Sequence, residues 1–103
     1  MPREWVSSKG RKWVPSAHVG RALTQAGYAR YLVRRQVAYS GYITNWDNVG
    51  QKTYLTWRPG DDVRDEVVAE ERLAMVSLYE DVLKAAGYAV ERTDSALYVP
   101  PKS

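Results

Sequence analysis

Two stretches decide how this chain reads: "LTQAGYA" at residues 23–29 and "LKAAGYA" at residues 83–89. Set Ala22–Arg30 beside Val82–Val90 and five of nine positions are identical, namely Leu, Ala, Gly, Tyr and Ala. One reading is a contact motif used twice, with Tyr28 and Tyr88 as anchors. The other is a helix terminus written twice. A glycine just past the last turn takes a left-handed conformation, and the residue after it packs back on the helix. The terminus explains every matched residue: Leu and Ala face a core, Gly caps, Tyr packs. The spacing therefore predicts two helices, each ending at a glycine and turning into a strand.

The first helix is expected over "PSAHVGRALTQAG" (15–27). Ser16 is a suitable N-cap, because its hydroxyl can accept from an unpaired first-turn amide. Val19, Ala22, Leu23 and Ala26 form an apolar stripe at i, i+3, i+4 and i+7. Gly20 weakens this helix by about 1 kcal/mol relative to Ala. The second is expected over 61–87, after the Pro59-Gly60 break. Asp61 or Asp62 would cap it, and acids crowd its first turn, where the helix dipole favours them. Met75, Leu78, Tyr79, Val82, Leu83 and Ala86 make its apolar face.

Between the helices, 28–46 and 51–59 are rich in aromatic and β-branched residues around the turn "DNVG", which predicts a hairpin. Centred near Val49, it places Ile43 opposite Leu55 and Gly41 opposite Trp57 on one side. Tyr42–Thr56, Thr44–Tyr54 and Trp46–Lys52 fall on the other. Residues 28–36 are also compatible with helix. A last hairpin is expected over 88–99, turning near Thr93-Asp94-Ser95 and stopped by Pro100-Pro101. Residues 3–15 form either a short hairpin around Ser7–Gly10 or an N-terminal arm.

These elements give a single α+β domain over 1–103. An antiparallel sheet carries two helices on one face, in approximate αββ–αββ order after the arm or hairpin, and both apolar stripes are buried. The domain divides into an arm (1–15), a basic aromatic part (16–60) and an acidic helical part (61–103). The alternative rests on residues 18–58. If a second helix followed Gly27, Arg34 and Arg35 would enter a major groove and the next hairpin would form a wing. That order is similar to a winged helix-turn-helix. It departs from that pattern at Leu23, where a small residue is usual.

Charge is unevenly spread. Residues 1–60 carry ten Lys/Arg against two Asp/Glu, a balance of +8, and residues 61–103 carry five against ten, a balance of −5, which together give the net +3. Nine of the twelve Tyr/Trp lie in the first part. A half both basic and aromatic is equipped to hold phosphates and stack on bases. Alternatively, the two charge halves pair with each other inside the domain. Along the central hairpin Tyr39, Tyr42, Trp46, Tyr54 and Trp57 alternate with Lys52 and Arg58.

Catalytic chemistry has little to stand on. There is no cysteine, so no disulfide or thiolate site, and His18 is the single histidine. Phosphate-cradling glycine loops are absent. No apolar run approaches the ~20 residues of a membrane span, and the first residues lack the apolar stretch of a signal peptide. The composition, arginine-rich and poor in Ile, is associated with high-GC bacteria and their phages.

The expectation is a small, cytoplasmic, non-enzymatic protein that binds DNA or RNA, with no cofactor, metal or membrane. Arg11, Lys12, Arg21, Arg30, Arg34, Arg35, Lys52 and Arg58 would contact phosphate. Trp13, Tyr42 and Trp46 would pack on sugar or base. The alternative is a protein-binding inhibitor or adaptor, for example a phage anti-defence protein. It would act through its aromatic and Arg residues or through Asp62, Asp65, Glu66, Glu70 and Glu71 on the acidic helix. A homodimer through the long helix is compatible with either.

Overall fold

The computed structural model describes residues 16–100. The expected hairpin or arm over 3–15, with Arg11, Lys12 and Trp13, lies outside the described residues. The elements run α1 (Ser16–Gln25), β1 (Leu32–Arg34), β2 (Val37–Tyr39), β3 (Gly41–Asp47), β4 (Lys52–Arg58), α2 (Val68–Ala85), β5 (Glu91–Arg92) and β6 (Leu97–Val99). The expected αββ–αββ plan thus gains one hairpin, β1–β2, in its first half. No helix follows Gly27; the chain goes extended, so the second helix of the winged alternative is not formed.

Both helices end the same way. Gly27 and Gly87 have φ of 96° and 91°. After α1, the Gly27 amide donates to Thr24 O at 3.0 Å and the Tyr28 amide to Leu23 O at 3.0 Å. After α2, Gly87 donates to Lys84 O at 3.1 Å and Tyr88 to Leu83 O at 3.0 Å. Each is a Schellman cap, in which two amides beyond the helix satisfy carbonyls of its last turn. Tyr28 and Tyr88 then pack, half-buried, against the core. The repeated Ala-Gly-Tyr is scaffold.

The main sheet is antiparallel in the order β3-β4-β6-β5. The observed β3–β4 register pairs Tyr42 with Trp57, Ile43 with Thr56, Thr44 with Leu55 and Trp46 with Thr53. It is one residue away from the expected register. The expected turn glycine, Gly50, is not the left-handed residue; Gln51 is, with φ 54°, and the loop takes four residues. The slip exchanges faces. Tyr42, Leu55 and Trp57 point to the helices, while Ile43 and Tyr54 point away.

The two helices cover that one face. Val19 and Leu23 from α1 meet Val76, Tyr79 and Leu83 from α2 over Tyr42, Leu55, Trp57, Leu97 and Val99. The core side of α2 is set by Val76, Tyr79 and Leu83. This corrects the expected face, since Leu78 is exposed, as is Ala86. A buried leucine such as Leu83 contributes about 2–5 kcal/mol against truncation to Ala.

The start of α2 also differs from expectation. Residues 61–64 form a turn, Asp65–Val67 a single 3-10 turn, and the helix begins at Val68 with Val67 as an N-cap that makes no side-chain bond. Asp61 does not cap the helix. Its Oδ2 instead accepts from the Ala38 amide at 2.9 Å.

A candidate nucleic-acid interface on the β1–β2 arm

Beyond the first Schellman cap the chain runs beside the start of β3. The Tyr31 amide donates to Tyr42 O at 2.9 Å and the Tyr42 amide to Ala29 O at 3.1 Å. This close parallel passage requires Gly41, because a Cβ there would fall on the backbone of Arg30 and Tyr31. The chain then leaves the body of the protein. β1 and β2 pair with each other as a separate two-stranded sheet: Leu32 with Tyr39, Val33 with Ala38, Arg34 with Val37.

Arg35 and Gln36 make the two-residue loop, with φ of 52° and 65°. Positive φ at both central residues is what a type I′ hairpin turn demands, and Asn-Gly is the favoured pair for it. A non-glycine residue there costs roughly 1–2 kcal/mol. The tip is therefore built from residues poorly suited to its own conformation.

The base of this arm is held firmly. Asp61 brackets Ala38: its amide donates to Ala38 O at 2.9 Å while its carboxylate accepts from the Ala38 amide. Beside it, the Gly60 amide donates to Ser40 Oγ at 2.7 Å. The Arg58 guanidinium lies 4.9 Å from the centre of the Tyr31 ring, a cation–π distance.

Above the base the arm is open on both faces. Val33 and Tyr39 are 58% and 53% exposed, and Leu32 and Val37 are also exposed. Arg30, Arg34, Arg35, Gln36 and Arg58 are exposed as well. Among the described residues, the ion pairs join Lys52–Glu91, Arg64–Glu66, Lys84–Glu80 and Arg92–Glu80. None involves Arg30, Arg34, Arg35 or Arg58, and no acid occurs in the sequence from 28 to 46. The arm is a positive ribbon whose arginines form no ion pair among the described residues.

The structure thus groups Arg30, Arg34, Arg35 and Arg58 and separates them from the rest of the expected set. Lys52 begins the strand that Arg58 ends, about 20 Å away at strand rise. It is paired with Glu91, and its ammonium sits 5.7 Å from the Tyr98 ring centre. Arg21 is exposed on α1, and Trp46 is half-buried opposite Thr53 on the helix-facing side. Tyr42 is a correction. Only 5% exposed, it cannot stack on a base. Its hydroxyl donates to Gly20 O at 3.0 Å and shares a 2.7 Å hydrogen bond with Thr24 Oγ1. The acids Asp62, Asp65, Glu66, Glu70 and Glu71 are all exposed, but only Glu70 and Glu71 lie on α2. Asp62 stands in the turn before it and Asp65 and Glu66 in the 3-10 turn, so the expected single acidic helix face is not formed.

The open face of the main sheet is a weaker surface. Tyr54 and Tyr98 meet there, with ring centres 5.5 Å apart at 61°. Its cations are offset, however: Lys52 is paired with Glu91, and Asp47 lies on the same face opposite it.

Comparison with protein-family models, with curated proteins and with solved structures finds no match. Among the described residues there is no cluster of three His, Asp or Glu able to hold a metal, and no helix is long and apolar enough to cross a membrane.

Sequence reasoning missed Tyr31, Leu32, Val33, Gln36 and Val37 as parts of the surface. The β-branched and aromatic residues on either side of Arg34-Arg35-Gln36 in "LVRRQVAY" were the available signal, but the turn pair contains no Gly, Asn or Asp to mark it.

Proposed function

We propose that this chain is a small, non-enzymatic nucleic-acid-binding protein that uses the β1–β2 arm as its gripping element. The observation that carries the reading is the set of four arginines, Arg30, Arg34, Arg35 and Arg58, exposed on and beside a projecting ribbon and joined to no acid among the described residues. Such charges attract phosphate and release condensed counterions on binding. Three to four phosphate contacts correspond to a slope of log affinity against log salt of about −2.7 to −3.6 on duplex DNA. Tyr39 and Tyr31 add aromatic surface for sugar or base contact. The cysteine-free, arginine-rich composition suits a cytoplasmic protein of a high-GC bacterium or its phage.

The test is fluorescence anisotropy with labelled duplex DNA, single-stranded DNA and RNA, titrated from about 50 mM salt upward, where even nonspecific binders hold on. Absence of binding to all three at low salt defeats the reading.

One observation favours a protein partner instead: Leu32, Val33, Val37 and Tyr39 are apolar and exposed on the same arm. Apolar and aromatic side chains beside Arg are common interface anchors. Recovery of one stoichiometric protein partner, unaffected by nuclease, would support that reading and displace the first.

A further inference from the structure

We propose that Arg35 and Gln36, at the tip of the arm, read base edges in the major groove of duplex DNA, so that binding selects sequence as well as charge. This rests on the reading of the arm as the nucleic-acid-binding element.

Three observations support it. The first is shape. The arm is a two-stranded ribbon, and the major groove of B-form DNA, about 12 Å wide and 8.5 Å deep, admits a two-stranded ribbon. Three residues of strand span roughly 10 Å, so a ribbon entering tip-first reaches the groove floor with Arg35 and Gln36. The deep, narrow major groove of an RNA helix excludes the same insertion.

The second is the backbone of the tip. Both residues stand at positive φ, 52° and 65°. Asn-Gly would hold that turn with less strain. Strained positions of this kind persist where the surrounding structure fixes them, and they concentrate at functional sites. Here the clamp by Asp61 at Ala38 fixes the ribbon from below, and the turn keeps two long polar side chains at its apex.

The third is chemistry. Arg donates a fork of two hydrogen bonds to guanine O6 and N7, and Gln exchanges a donor and an acceptor with adenine N6 and N7. Both tip side chains are exposed, and among the described residues neither forms an ion pair or a side-chain hydrogen bond with the rest of the protein. Arg30 and Arg58, near the base, are placed for the phosphates flanking the groove. These contacts set position without specifying sequence.

The experiment is selection from a random duplex pool, performed with the wild-type chain and with the double variant Arg35→Asn/Gln36→Gly, which installs the favoured turn pair. The wild type is expected to enrich a short motif in which a guanine lies next to an adenine, with about 5- to 150-fold preference at each position, as expected for one bidentate contact. The double variant is expected to unfold at an equal or higher temperature and still bind duplex, with the salt slope little changed because the remaining arginines hold the phosphates, yet to enrich no motif. Gln36→Gly alone should lose only the adenine preference. The inference is overturned if the wild type binds duplex without enriching a motif, or if the double variant keeps the same motif. If the wild type binds single-stranded DNA or RNA but no duplex, this inference fails while the arm reading stands; if it binds none of the three at about 50 mM salt, the arm reading fails as well.

Discussion

Asp61 and Ala38 hold each other by two hydrogen bonds. The Asp61 amide donates to the Ala38 carbonyl, the Asp61 carboxylate accepts from the Ala38 amide, and both distances are 2.9 Å. This bracket ties the arm to the segment leading into α2. An isolated two-stranded hairpin is marginal in water, so the arm depends on such ties. Asp61→Ala should cost the fold about 1 kcal/mol, the usual net value of a lost hydrogen bond. Amide exchange at Ala38 and Tyr39 should accelerate far more than exchange in β4. Hydrogen exchange read by NMR checks this, and unchanged protection at Ala38 would show that the arm is held by other means.

The two helix caps are equivalent in geometry, so their glycines should be equivalent in energy. Gly27→Ala and Gly87→Ala each force a Cβ residue into the left-handed φ of 96° or 91°. Each should lower stability by roughly 1–2 kcal/mol. Nothing lies within 4 Å of a Cβ at either position, so the effect is conformational and not steric. Urea unfolding of the two variants should give similar losses with an unchanged m-value. A loss at only one site would mean that the caps differ in the folded ensemble.

Tyr79 is fully buried between Tyr28, 5.5 Å away edge-to-face, and Tyr42, 6.3 Å away. Its hydroxyl is buried without a hydrogen-bond partner among the described residues. Desolvation, reinforced by the neighbouring Tyr28 and Tyr42, pushes its ionisation well above the usual tyrosine range. Tyr79→Phe removes an unsatisfied polar atom while keeping the ring, so stability should stay level or rise by about 1–2 kcal/mol. The raised value also has a pH signature. Folding holds Tyr79 neutral, so its contribution is complete below the ordinary tyrosine value of about 10 and is lost as pH rises and the unfolded tyrosine ionises. The Phe variant should lose less stability in that alkaline range. A marked loss of stability on Tyr79→Phe would imply a partner for that hydroxyl.

Glu80 has its titration displaced downward. Hydrogen bonds from Lys84 and then Arg92 hold it below its ordinary value of 4.5, with the two cations at 3.1 and 3.0 Å. A carboxylate lowered in the folded state stabilises fully above its unfolded value, and the contribution is lost as pH falls through the folded one. Glu80→Gln should therefore cost about 0.5–1 kcal/mol near neutral pH and close to nothing in the acid range. Thermal unfolding at neutral pH and at about pH 3, below the usual Glu range, measures the difference. An equal effect at both would exclude the ion pairs as its source.

The helix ends were legible because an apolar stripe followed by Ala-Gly-Tyr has few alternatives. The two helices on one face of an antiparallel sheet followed from their stripes. The β1–β2 arm was hidden because its turn, Arg35-Gln36, adopts positive φ without the residues that normally signal it. The β3–β4 register slipped for a similar reason, since the loop closes through Gln51 at left-handed φ and is not centred on Val49. That slip moved Tyr42 from the expected contact surface into the core. The late start of α2 was invisible locally, because Asp61 bonds to a residue 23 positions away. For the candidate site, sequence supplied the arginines but not their grouping. A strand carries Lys52 and Arg58 to opposite ends, and the chain folds Arg58 back beside Arg30 and Tyr31.

The central claim is that the arm arginines make the nucleic-acid contact. The most direct measurement compares duplex DNA affinity and its salt dependence for the wild type, for Arg30→Gln/Arg34→Gln/Arg35→Gln/Arg58→Gln, and for an off-arm control, Arg21→Gln/Arg64→Gln. The account predicts wild-type binding with a slope of about −2.7 to −3.6, collapse of both affinity and slope in the fourfold arm variant, and only a small change in the control. Retention of wild-type affinity by the arm variant, or an equal loss in the control, would contradict it.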